Sequence, residues 1–290
     1  MNQATKEPTP EPGIYSGIED SEYFRWKAVS NSRLGPLRKS PLHCRYAMDH
    51  PSEPTDALIL GSAVDCLVFT PKDFNSKFVT PGQCEATTQK GKQCSNQALR
   101  LQESGWSCGV HASGPELNAR RILTKEQGET ACAMAKAVHD HPGASVLLAA
   151  CEELQLSLVW RENNLTCKGR LDGLASGLRT IIDLKTTVDA SPDYFSRKIF
   201  DYGYHRQAAM YMRGATACGI EVEHFAIVAV ENAPPHAVAV YRLENSAVEI
   251  GNTELLRLLD KYEHCEATGV WPGYSEEPLA IGVPKWAVSY

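Results

Sequence analysis

The sequence predicts an α/β domain in which a central mixed β-sheet is flanked by helices. Leu154, Leu156, Leu158 and Trp160 fall at alternate positions, the period of a half-buried strand. Residues 166–187, TCKGRLDGLASGLRTIIDLKTT, hold two β-branched and aliphatic runs on either side of Ser176-Gly177, a turn signal. Helical stretches precede and follow these strands. At 290 residues and 43 % hydrophobic content, the chain can bury a full core in one domain, or in one domain carrying a small insert.

The N-terminus MNQATKEPTPEPG is polar and proline-rich, so residues 1–20 are expected to form a disordered tail. Residues 21–81 are the N-terminal helical part of the domain. There Ser30, Asn31 and Ser32 are N-cap candidates before Leu34, Ser40-Pro41 is a second start signal, and 56–68 is a buried helix ending before Pro71. Residues 82–114 turn Gly-, Gln- and Cys-rich and look inserted. Residues 115–290 complete the domain. They open with a long helix whose Thr124 and Gln127 have capping-box spacing, stopping before Pro142. The strand at 154–160 and the 166–187 hairpin come next, then a helix near 204–218, strands near 225–230 and 237–243, and an amphipathic helix over 245–268.

The hairpin carries the chemistry. If Gly177-Leu178 form a two-residue type II′ loop, residues whose numbers sum to 355 stand opposite each other, and Asp172 and Asp183 are such a pair. Opposed side chains have Cβ atoms roughly 4.5–5.5 Å apart, so two carboxylates there repel unless a cation lies between them. Lys185 follows Asp183 at i+2 and shares its face. An isolated Asp-x-Lys is ordinarily a solvated polar face. Ile181, Ile182 and Leu184 surround these charges, which a solvated face does not need.

GRLDGL and IIDLKTT resemble motifs II and III of the PD-(D/E)XK nuclease superfamily, with Asp183 in the (D/E) place. GIYSGIEDSEYFRWKAVSNSRLGPLRKSPLHC, GSAVDCLVFTP, YGYHRQAAMY and WPGY resemble its exonuclease VIII (RecE-like) phage and prophage branch, from about Gly13 to Tyr290. The resemblance implies a restriction-endonuclease-like core and a Mg²⁺- or Mn²⁺-dependent exonuclease. It also implies 5′ to 3′ action on double-stranded DNA ends, 3′ single strands handed to an annealing recombination protein, and a ring-shaped homo-oligomer.

In ALILGSAVDCLVF the polar side chains are Ser62 and Asp65, and an aspartate in an apolar helix carries a desolvation penalty unless something pairs with it. Service as a third metal ligand supplies a reason; a solvent-facing helix edge is the bland alternative. The RecE-like pattern usually has a histidine at the position of Asp65, and the substitution keeps an oxygen ligand suited to Mg²⁺. Gly61 would let this helix approach the sheet closely. Gln207 and Tyr211 stand at i, i+4, matching the Q-x-x-x-Y motif of RecB-type nucleases; an exposed amide and a core aromatic are the plain reading. Arg170 would face Lys185 across the hairpin and either contacts a phosphate or flanks the site. Asp65, Asp172 and Asp183 with the Leu184 carbonyl could then hold one or two Mg²⁺ ions, and Lys185 would orient water and stabilise the transition state.

A net charge of −6 argues against an indiscriminately basic nucleic-acid binder but allows a local positive groove. Residues 21–50 carry Arg25, Lys27, Arg33, Arg38, Lys39 and Arg45 against Glu22 and Asp49, and are the best supplier of phosphate contacts. No signal peptide is visible, and the apolar run 57–69 is interrupted by Asp65 and too short for a bilayer. The expectation is a cytoplasmic protein of a bacterium or phage-infected cell with no membrane contact.

Ten cysteines are too few for a secreted disulfide scaffold of this length, and Cys66, Cys132 and Cys218 read as reduced core thiols. Cys84, Cys94, Cys108 and His111 form C-x9-C-x13-C-x2-H, a candidate structural Zn²⁺ site for a segment too polar to build its own core. This segment looks like small zinc-binding modules with a C-x-A-T-T start. Lys90, Lys92 and Arg100 could bring it to DNA, or it could dock a partner.

Three other functions compete. An iron–sulfur nuclease needs a late cysteine cluster, where only Cys265 lies. A non-catalytic DNA- or protein-binding module has no use for Asp172, Asp183 and Lys185 together. Another PD-(D/E)XK endonuclease is the third.

Overall fold

The computed structural model describes residues 8–80, 100–102, 105–107 and 121–283. In chain order the elements begin β1 (Gly13–Tyr15), α1 (Asp20–Arg25), α2 (Asn31–Leu34), α3 (Pro41–Asp49), α4 (Asp56–Phe69), α5 (Phe74–Lys77) and β2 (Phe78–Val79). They continue through β3 (Arg100–Gln102), β4 (Gly105–Ser107), β5 (Arg121–Ile122), α6 (Lys125–Asp140), α7 (Pro142–Ala149), β6 (Glu153–Glu162) and β7 (Leu165–Ala175). The last are β8 (Thr180–Thr187), α8 (Pro192–Asp201), α9 (Tyr204–Ala217), β9 (His224–Glu231), β10 (Val238–Arg242) and α10 (Asn245–Thr268). The expected zinc ligands Cys84, Cys94, Cys108 and His111 lie outside the described residues.

Local signals start the helices where the sequence places them. Ser30 and Ser40 accept the Arg33 and His43 amides, Pro41 takes the first helical position of α3, and Thr55 caps α4. Both halves of the Thr124–Gln127 capping box form. Two helices, α7 and α8, were not expected; each opens on a proline at its first turn, a start signal rather than only a stop.

A six-stranded sheet runs β1-β6-β7-β8-β9-β10, antiparallel except for β8 with β9. The chain between those parallel strands crosses over through α8 and α9, as parallel pairing requires. One face packs on α9 and α10 through Leu158, Trp160, Leu171, Ile181, Ala208, Met210 and Leu255. The other packs on α4 and α6 through Val64, Phe69, Met134, Val138, Ile182 and Val228. Burying each such aliphatic side chain contributes about 1.5–3 kcal/mol, so consecutive Ile181 and Ile182 lock β8 between two helical layers.

Residues 8–20 are not all tail. Gly13–Tyr15 adds β1 to the open edge of β6, Gly13 opposite Val159, and the Tyr15 ring sits 5.2 Å from that of Trp26. Pairing satisfies an edge that would otherwise expose its amides.

The expected single face for Leu154, Leu156, Leu158 and Trp160 is broken at Gln155. Its φ is +51°, and the rung that would join it to Asp172 is missing between Leu154↔Gly173 and Leu156↔Leu171. Leu156, Leu158 and Trp160 are buried, while Leu154 is 40 % exposed. On β7, Leu171 faces α9, yet a side chain at Gly173 would strike Cys151 Sγ at 2.8 Å and Phe69 at 3.3 Å, on the α4 side. The pleat thus reverses phase at the Gln155–Asp172 rung, a local irregularity of the kind that re-aims side chains.

Candidate active site

The β7–β8 ladder follows the expected register, Gly173↔Ile182 through Ala175↔Thr180, with numbers summing to 355. The turn differs. Ser176–Leu178 form a single 3-10 turn and Arg179 takes the left-handed conformation, so four residues rather than two connect the strands. A four-residue loop about the same centre preserves the register, and Gly177 has no positive φ.

Pairing stops at Gly173↔Ile182, although β8 continues beside β9 through Asp183↔Ile227 and Lys185↔Ala229. The two strands part at Asp172 and Asp183. The split opens into a cleft of about 1030 Å³ lined by Asp65, Asp172, Asp183, Lys185, Gln207 and Tyr211. Every side chain expected at the catalytic site meets there.

Oδ2 of Asp172 accepts the Leu184 amide at 2.9 Å, replacing the lost ladder bond. The N–H and C=O of one strand residue leave on the same edge, so the Leu184 carbonyl also faces the split. Asp183 is 2 % exposed; its Oδ1 accepts from Gln207 at 2.7 Å, and Lys185 Nζ pairs with Oδ2 at 2.5 Å. That Oδ2 is buried without a well-aligned hydrogen-bond donor. Lys185 also lies 5.0 Å over the Tyr204 ring.

Asp65 enters from α4. Gly61, one turn earlier, would place a Cβ 3.4 Å from Thr186 Oγ1, ordinary contact, so the helix lies directly on β8. The Asp65 carboxylate accepts from Gln155 Nε2 at 3.0 Å. Burial, then the charge of Asp183, pushes its carboxyl up to about 7. Asp172 is driven well above the ordinary range by burial and by Asp65 and Asp183. Burial alone would lower Lys185, but the charges of Asp183 and Asp172 outweigh it and hold its ammonium above the usual value.

With its three carboxylates ionised the arrangement carries more negative charge than one ammonium neutralises, and its donors are all oxygens, which suits a hard divalent cation. Among the described residues no three His, Cys, Asp or Glu side chains close into a ready-made metal cage.

Tyr211 lines the cleft one helical turn beyond Gln207 and is partly buried. It lies beside Gln207 and packs against the core next to Gly169 and Phe225, where burial raises its hydroxyl well above normal. Arg170 does not face Lys185. Its guanidinium donates to Ser157, Asp20 and the Ile18 carbonyl and stacks 4.1 Å over Tyr23, so these contacts hold the N-terminal segment on the sheet. In the basic segment, Arg38 pairs with Glu254 and Arg45 with Asp49, while Arg33 lines the cleft. The described cysteines are free thiols; Cys66 is buried, but Cys132 is exposed rather than in the core. Gln155 was missed: it occupies an outward position of an alternating strand, where a polar residue is ordinary.

A family model described as a PDDEXK-like domain of unknown function, DUF3799, matches residues 30–280. The chain belongs to this family. The DUF3799 match spans α2 to the segment beyond α10 and so contains Asp65, Asp172, Asp183, Lys185, Gln207 and Tyr211. A protein from Eubacterium rectale that carries an exonuclease designation has a similar crystal structure. Its TM-score is 0.59 at 13 % identity, with 95 % of this chain and 99 % of that one covered, a likeness of fold. A phage-related exonuclease from Haemophilus somnus aligns over 38 % of this chain and 60 % of its own at 16 % identity; its TM-score of 0.29 is too low to carry an argument. No curated protein matches the sequence. The DUF3799 chain is therefore a member of the PD-(D/E)XK nuclease superfamily with the mixed α/β core of that fold. No helix among its described residues is long and apolar enough to cross a membrane.

Proposed function

We propose that the protein is a Mg²⁺- or Mn²⁺-dependent deoxyribonuclease, an exonuclease similar to exonuclease VIII that hydrolyses double-stranded DNA from its ends in the 5′ to 3′ direction. The observation that supports it is the meeting of Asp65, Asp172, Asp183 and Lys185 where β7 and β8 part. The three carboxylates and the Leu184 carbonyl would hold the metal, which when bound lowers the pKa of a water and stabilises charge on phosphate.

The chain's own groups do the rest. Gln207 fixes Asp183 through Oδ1 and Tyr211 steadies Gln207. Lys185 stays cationic at the split, where its ammonium orients the attacking water and donates to the phosphate oxygens as negative charge builds. Arg33 offers a phosphate contact along the cleft.

Purified protein should degrade linear duplex DNA only with Mg²⁺ or Mn²⁺, and Asp183→Asn should abolish this. Cleavage of covalently closed circles would instead favour an endonuclease. No metal-dependent cleavage of any DNA would leave a binding module on a nuclease fold.

We also propose that Cys84, Cys94, Cys108 and His111 bind one structural Zn²⁺, chemically separate from the carboxylate site because thiolates and imidazole prefer the softer ion. One zinc per chain in elemental analysis, lost in Cys94→Ser, is the expected result.

A further inference from the structure

Four non-glycine residues among those described have positive φ: Gln155, Asn163, Arg179 and His236. Asn163 and Arg179 sit in hairpin loops, and His236 in the β9–β10 connection. Gln155 stands inside a strand, with a φ of +51° that a residue bearing a long side chain adopts only when its surroundings enforce it. Its missing rung is the one opposite Asp172. Its side chain reaches across to α4, where Nε2 donates to Oδ2 of Asp65 at 3.0 Å. One residue therefore touches the helix carboxylate and opposes the strand carboxylate.

We infer that Gln155 is a positioning residue for the metal-binding carboxylates, an assignment that rests on the nuclease reading above. Its left-handed backbone reverses the pleat so that Asp172 is released from the β6 ladder and turned into the split. Its amide holds one oxygen of Asp65 and leaves the other for a cation. A neutral amide suits this role because it fixes the carboxylate without adding a positive charge that would compete with the metal, as an ammonium would. Strain kept inside a strand, where regular pairing is available, marks a function that regular pairing cannot serve.

Two substitutions separate backbone from amide. Gln155→Gly accepts positive φ and removes the amide; Gln155→Asn tolerates positive φ but is one methylene too short to reach Asp65. Full-length protein freed of metal is titrated with Mn²⁺ by calorimetry in the absence of DNA, alongside thermal denaturation and cleavage of linear duplex. Both variants should stay folded and melt within a few degrees of the parental temperature, since relief of strain offsets the lost amide contact, yet bind Mn²⁺ about 10–100-fold more weakly, the usual effect of losing a group that orients a metal ligand. Unchanged Mn²⁺ affinity in both, beside a parental protein that binds Mn²⁺ and cleaves DNA, overturns the role of Gln155 alone. A parental protein that neither binds Mn²⁺ nor cleaves DNA overturns the nuclease reading itself.

Discussion

Gln207 and Asp183, 24 positions apart, are joined by a 2.7 Å hydrogen bond from Nε2 to Oδ1. It leaves Oδ2 to Lys185 and the cleft, so the carboxylate has one fixed and one working oxygen. Gln207→Ala should lower both Mn²⁺ affinity and cleavage rate by about 10–100-fold. Tyr211→Phe should do less, because Tyr211 acts through Gln207. Calorimetry and a duplex-degradation assay check both, and a larger loss in Tyr211→Phe would reverse the assignment.

Lys185 competes with any cation for Oδ2 of Asp183. Lys185→Ala should therefore bind Mn²⁺ at least as tightly as the parental protein while its turnover falls about 10²–10³-fold, the scale seen when one charge-stabilising donor is removed. Loss of metal binding and turnover together would make Lys185 structural.

The metal-free protein should lose stability as pH rises. Asp65, held at about 7, binds a proton in the folded state between its ordinary value of ~4 and 7, where the unfolded chain has released it. The folded state binds more protons there, so stability falls with pH across that window and levels off above it. Asp172, displaced the same way, adds to the slope. Asp65→Asn should raise the Tm of chelator-treated protein at pH 8 and leave it nearly unchanged at pH 4. Parallel melting curves for the two proteins would refute the buried-charge account.

Gly251 lets α10 cross α9 at close range; a Cβ there would lie 2.1 Å from the His205 carbonyl oxygen. Backbone cannot rotate away as a side chain can, so Gly251→Ala should destabilise the fold by about 1–3 kcal/mol or more. Because α9 carries Gln207, residual folded protein should also bind Mn²⁺ more weakly. Chemical denaturation and calorimetry measure the two effects.

Local patterns in the sequence were enough to locate most of the framework and the expected catalytic side chains. Capping residues start α2, α3, α4 and α6, because a cap is satisfied within four residues and needs no distant partner. The register of β7 against β8 follows from the length and centre of one hairpin, and from Gly173↔Ile182 to Ala175↔Thr180 it survived a wrong turn type because both loops share that centre, whereas the expected Asp172–Asp183 rung does not form. Leu154 failed because alternation assumes an unbroken pleat.

The sequence by itself determined which side chains are the candidates for the chemistry, since an Asp, a second Asp and a Lys amid isoleucines are explained poorly by solvation. Only the tertiary structure decided how they are held. Gln155 on Asp65, Gln207 on Asp183 and Arg170 on Asp20 each join segments distant in the chain. Contacts of that range leave no periodicity in the sequence. They arise when packing two helical layers on one sheet brings unsatisfied polar groups within reach of one another, and burial then makes each unpaired one too costly to leave.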